Sequence, residues 1–148
     1  LPGIGLIMLG WAPLITLAAG PLMIGPLFFD FHYMIAGSAL AILGLQLITL
    51  GIHGKAYLIA RNLEQPDRLM NSVQRHFTLE RGLLWGFILL AIGIAFGIQI
   101  LLVWAQHGFR NIFELRSGLI ALTLGVSGTQ LMFASLFLSL LQIEARND

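Results

Sequence analysis

The sequence predicts an all-α membrane protein: four transmembrane helices in two tandem helical hairpins, with a short amphipathic helix at the membrane surface between them. Three observations carry this. Hydrophobic residues make up 57% of the 148 positions and charged ones only 10%, against about 25% charged in a soluble domain. Mean hydropathy is +0.88. Four apolar runs are each about long enough to cross roughly 30 Å of hydrocarbon, which takes about 20 residues.

The first run covers 1–19 and contains Pro13. The second covers 33–52, the third 82–104 and the fourth 118–141. None has a full charge in its interior, so nothing marks an intramembrane ion or proton path. The chain is already apolar at Leu1 and shows no charged leader or small-residue cleavage site. We therefore expect a fragment of a longer protein, cut just ahead of a membrane segment. All 148 residues form a single transmembrane domain on this reading.

Basic residues set the orientation. The 53–81 connection holds Lys55, Arg61, Arg68, Arg75 and Arg81, whereas 20–32 holds none and the third connection only Arg110 and Arg116. The 53–81 segment should then be cytoplasmic, and with an even number of spans both termini join it. Phe28, Phe29, Phe31, Tyr33, Trp104, Phe109 and Phe113 form aromatic belts at the outer boundary, with Trp85 near the inner one.

Within the connection, Leu69, Met70, Val73 and Phe77 recur at helical spacing after Pro66, with Arg68, Asn71 and Arg75 on other faces. This pattern predicts a surface-lying amphipathic helix. Thr78 and Glu80 suit the start of the third span. Lys55, Arg61, Arg75 and Arg81 are candidates to neutralise a lipid phosphate, for which arginine has the right donors. The plainer reading is that they set topology and attract anionic lipid.

An internal repeat runs through the chain. At an offset of 84, Leu40, Gly44, Gln46, Leu47 and Ile59 meet Leu124, Gly128, Gln130, Leu131 and Ile143. At an offset of 83, Leu1, Gly3, Leu6, Gly10 and Ala12 meet Leu84, Gly86, Leu89, Gly93 and Ala95. Each copy has two spans, so both have the same topology. Gln46 and Gln130 are equivalent in this alignment. They are read first as intramembrane packing residues, since an amide beside a glycine can bond across a close helix contact; the alternative is that they line a groove for a polar ligand group.

Several function classes are excluded. Net charge is +1, which offers no field for nucleic acid. Cysteine is absent, which removes disulfides and thiolate chemistry. His32 and His107 belong to the outer boundary and His53 and His76 to the inner one, so no pair is placed for a mid-membrane haem. Asp30 and Glu114 lie at the outer edge, within range of Arg110 or Arg116. No metal site and no catalytic motif is legible.

The succession "LPGIGLIMLG", "LGLQLITLGIHGKAY", "FTLERGLLWGFILLAIG" and "GVSGTQLMFASLFLSLL" resembles the C-terminal membrane region of bacterial family 2 glycosyltransferases related to dolichyl-phosphate sugar synthases. The resemblance spans nearly the whole chain. It implies an N-terminal cytoplasmic domain that binds a nucleotide sugar and a divalent metal, with neither cofactor nor catalytic residue in these helices. It also implies a role as anchor and as the positioner of a polyprenyl-phosphate acceptor in a bacterial inner membrane. Implied partners are membrane lipids, the acceptor and the catalytic domain, with a homo-oligomer compatible. The alternative is a free-standing transporter, a flippase-like protein or a scaffold subunit without enzymatic activity.

Overall fold

A computed structural model describes residues 2–24, 27–65, 67–106 and 115–147. The elements are α1 (Pro2–Thr16), β1 (Leu22–Ile24), β2 (Leu27–Phe29), α2 (Phe31–Ala60), α3 (Arg68–His76), α4 (Leu79–Gln106) and α5 (Leu115–Asn147). Three of the helices, α2, α4 and α5, are long and apolar enough to cross a membrane. The described chain is helical apart from one short β-hairpin.

The described part of the first run is a helix of 15 residues, Pro2–Thr16, or about 22 Å at 1.5 Å per residue, so three described helices reach the length of a span where the sequence predicts four. One expectation needs correction: 20–32 is not merely a connection between spans. Leu22–Ile24 and Leu27–Phe29 pair antiparallel there, with Met23 opposite Phe28. The other helices run a few residues beyond the apolar runs at both ends, because propagation continues past the hydrocarbon once a helix is nucleated.

Close approach at glycine organises the packing. α1 lies antiparallel on α2, and α4 lies antiparallel on α5. A Cβ added to Gly3 would stand 2.7 Å from the Gly44 carbonyl oxygen, and one added to Gly86 would stand 2.7 Å from that of Gly128. Gly10 approaches Gly37 and Ala41, while Gly93 approaches Ala121 and Gly125. Every partner in the second set lies 83 or 84 positions after its counterpart in the first. In lipid, association depends on van der Waals fit, and small residues provide it by letting backbones meet.

The two pairs join along α2 and α5, which run parallel. Three polar bonds mark this seam. Ser38 bonds Thr123 at 2.6 Å, Gln130 Nε2 donates to Thr49 Oγ1 at 3.2 Å, and His53 Nε2 meets the Ala134 carbonyl at 3.1 Å. Thr123 already donates to the Leu119 carbonyl, so Ser38 is the donor in the first bond. A carbonyl only accepts, so His53 carries its proton on Nε2. At the outer end, Arg116 donates to Asp30 at 2.8 Å, one of the pairings foreseen. Glu114, Arg110 and His107 lie outside the described residues. Beneath this pair, Leu14, Leu17 and Met34 are buried together with Trp11 and Phe29 against them.

Candidate functional site: an apolar groove beneath the surface helix

The end of the molecule that carries the 53–81 connection, its inner end on the expected orientation, is shaped by how α2 stops. Asn62 takes φ 55°, the left-handed conformation that asparagine tolerates better than most residues. Its N–H bonds the Ile59 carbonyl, and the Leu63 N–H bonds the Leu58 carbonyl. This is a Schellman ending, which satisfies the last carbonyls and turns the chain back. The reversal brings Asp67 to the side of α2 from which it left.

Asp67 then does two things. Its Oδ1 accepts from the Met70 N–H at 2.9 Å, capping α3. Its Oδ2 receives the Lys55 ammonium, which also lies 3.4 Å from Glu64 Oε1. The Lys55 hydrogen bond, followed by the Met70 N–H, holds the Asp67 carboxyl below the usual carboxylate range. So α3 is tied to α2 at its first residue. Its apolar side completes the attachment: Met70 is buried against Ala56, Leu138 and Leu141, with Val73 and Phe77 beside it. Met70, Val73 and Phe77 fall at i, i+3 and i+7, while Arg68, Asn71 and Arg75 are exposed, the arrangement expected of a surface-lying helix.

Between the start of α1, the inner half of α2 and the underside of α3 lies a groove of ≈ 380 Å³. Ile4, Leu47, Ile48, Ile52 and Val73 supply its apolar wall, and Lys55 is the one charged residue lining it among the described residues. Gly51 forms part of the wall, and a Cβ added there would meet nothing within 4 Å. The groove is therefore an apolar slot whose charged group stands at the inner end of α2.

The sequence-derived site residues are distributed unevenly around it. Lys55 lines the groove but is shared by two carboxylates. Arg61 lies at the end of α2 with its guanidinium 5.7 Å from the Tyr57 ring centre. Arg75 is on the exposed side of α3, and Arg81 is exposed in the first turn of α4. Of the four, the structure thus brings Lys55 to the groove, and the three arginines are not among its described lining residues. Sequence reasoning missed Asp67 and Glu64 as partners of Lys55. The signal was present in the "NLEQPD" stretch, an asparagine suited to a helix stop followed by two acids.

Gln46 and Gln130 are not treated alike. Gln130 is half-buried and bonds Thr49, though its Oε1 is buried without a partner. Gln46 is exposed and lines a separate cavity of ≈ 570 Å³ with Gln130, Thr129, Leu90 and Phe133.

Residues 52–142 match the family model described as the glycosyltransferase family 2 C-terminal transmembrane region. The chain belongs to this family. No curated protein and no solved structure is significantly similar to it. The match takes in the last nine residues of α2, all of α3 and α4, and α5 as far as residue 142. It is narrower than the near-complete resemblance expected, since it leaves out α1, the β-hairpin and most of α2. The chain is accordingly an integral membrane part of a glycosyltransferase, in contact with membrane lipid. The groove of this transferase membrane region is lined partly by the matched residues Ile52, Lys55, Met70 and Val73 and partly by unmatched residues of α1 and of α2, among them Ile4, Leu47 and Ile48.

Proposed function

We propose that this region anchors a family 2 glycosyltransferase and holds its polyprenyl-phosphate acceptor at the cytoplasmic face of a bacterial inner membrane. The sugar comes from a nucleotide sugar bound, with its divalent metal, by a catalytic domain outside this chain. The observation that carries the reading is the apolar groove beneath α3. An isoprenoid tail is apolar and thin, and a slot lined by Ile4, Leu47, Ile48 and Val73 matches it in chemistry. Holding the lipid phosphate at fixed depth beside a soluble donor removes much of the entropic cost of bringing the two together.

The charge arrangement refines the phosphate contact. Lys55 faces Asp67 and Glu64, one cation against two carboxylates. In this reading it latches α3 over the groove, and the phosphate falls to Arg61, Arg75 and Arg81. In this reading the four helices act as two copies of one hairpin, with α1 completing a fourth crossing in the full-length protein and both termini cytoplasmic. The glycine contacts repeated at offsets of 83 and 84 support the duplication.

Gly51→Leu in the full-length transferase tests the reading, because the new side chain enters the groove without displacing a neighbour. The KM for a polyprenyl phosphate should rise severalfold with kcat little changed. Gly54→Leu is the control, since a Cβ there also meets open space but Gly54 does not line the groove. Equal KM values in the two variants would remove the groove from acceptor binding. Arg75→Gln with Arg81→Gln should raise the same KM, and an unchanged value would leave these arginines as topology signals.

A further inference from the structure

Beneath α3 a second cavity, of ≈ 230 Å³, lies between α2 and α5. It shares Ile48, Ile52 and Val73 with the groove. The two isoleucines are four residues apart on α2 and so stand one above the other on a single face. They form a sill, with the groove on one side and the cavity on the other, and Val73 of α3 borders both spaces.

The two spaces differ in enclosure. Exposed residues, Ile4, Leu47 and Gly51, make up part of the groove, whereas every residue lining the cavity is buried or half-buried. The far flank of α2 is bridged to α5, since His53 Nε2 donates to the Ala134 carbonyl and Gln130 donates to Thr49. Those bonds also engage the two polar side chains in the cavity wall, His53 and Thr49, and the rest of the lining is apolar. At the deep end of the groove α1 is pressed onto α2, where a Cβ added to Gly3 would stand 2.6 Å from Ile48 Cγ1. Among the described residues, the side left for entry is the sill.

A void of this size is rarely left empty in a close-packed protein. Water gains little there, because it needs roughly two to four polar partners. The lining selects an apolar chain, and the groove next to it supplies one. We propose that the isoprenoid chain of the acceptor crosses from the groove over Ile48 and Ile52 into this cavity, which makes the cavity a selector of chain length. The inference rests on the acceptor reading of the groove and specifies which acceptors it favours.

The groove follows α2 from Leu47 to Lys55, about 12 Å at 1.5 Å per residue. The chain of geranyl phosphate fits within that length, and the chain of undecaprenyl phosphate exceeds it. Both acceptors, with the full-length transferase in mixed micelles, test the proposal. Leu45→Trp and Leu131→Phe each enlarge a half-buried side chain that lines the cavity but not the groove. Each should raise the KM for undecaprenyl phosphate about fivefold and leave that for geranyl phosphate within about twofold. Turnover of geranyl phosphate is the folding check on each variant, and the milder Leu131→Phe decides if the tryptophan disrupts the bundle. Gly51→Leu, which narrows the groove, should raise both KM values. If it does so while the two cavity variants leave the undecaprenyl KM unchanged, the chain leaves the groove for the bilayer, and this inference is overturned while the groove stands. If Gly51→Leu leaves both KM values unchanged, the groove reading fails and the inference fails with it.

Discussion

The α1–α2 pair and the α4–α5 pair use the same glycine contacts yet differ in size. α1 has 15 residues and α4 has 28. Gly3 meets Gly44 as Gly86 meets Gly128, so the inner parts of both pairs are built alike. They diverge toward the outer side. α1 ends after Pro13, whose ring sits in the notch left by Gly37, and the chain turns into a small β-hairpin. α4 continues for its full length. The family match covers the second pair up to residue 142 but only the last nine residues of α2 in the first. The comparison teaches that helix contact is specified locally by small residues, whereas helix length varies without disturbing it.

That contrast can be broken most directly at the glycines. Gly86→Leu drives a side chain into the backbone of α5 between two long helices, and should cost about 3 kcal/mol of stability in detergent. Gly3→Leu meets the same kind of obstacle in the first turn of a shorter helix, which can shift more easily, so about 1 kcal/mol is expected. Thermal unfolding of the two variants checks the ratio; equal losses would mean that the short pair is as firmly built as the long one. Next in size is the joint between the pairs. Thr123→Val leaves the buried Ser38 hydroxyl without its acceptor, and about 1 kcal/mol should be lost by the same measurement. Gln130→Leu removes the Thr49 bond but also an unpartnered Oε1, so its net effect should not exceed about 0.6 kcal/mol.

The smallest global effect belongs to the latch on α3, where the change is local. Asp67 has a lowered carboxyl pKa in the folded protein, so its contribution is present above the unfolded value and is lost as pH falls through the folded one. Hydrogen exchange over 68–76 should stay slow at neutral pH and quicken on acidification below the usual carboxylate range. Lys55→Met should give fast exchange already at neutral pH, with α4 and α5 unaffected.

The long helices were legible because a bilayer asks for uninterrupted apolar length, and α2, α4 and α5 have it. The surface helix was legible from the spacing of Met70, Val73 and Phe77. The short α1 was not, because Leu17–Ala19 continue the apolar run after the helix has stopped. Apolar character alone does not reveal where hydrogen bonding ends. The hairpin gave only a faint signal, the Gly25-Pro26 step between two apolar triplets. At the candidate site the cations could be counted but their partners could not. Lys55 meets Asp67 only because Asn62 reverses the chain, and such a reversal depends on one backbone angle. The unequal fates of Gln46 and Gln130 were hidden for a similar reason, since they turn on which residue, Thr49 or Phe133, lies across the seam.

The length of α4 also affects the lipid around the protein. Its 28 residues extend about 42 Å at 1.5 Å per residue, roughly 12 Å more than the hydrocarbon it faces. A helix that long tilts, or the lipid beside it thickens, and such mismatch costs a fraction of a kcal/mol per ångström. Because Gly86 and Gly93 seat α4 directly on the α5 backbone, a tilt of one helix carries the other with it, and longer-chain lipids gather along the flank they share.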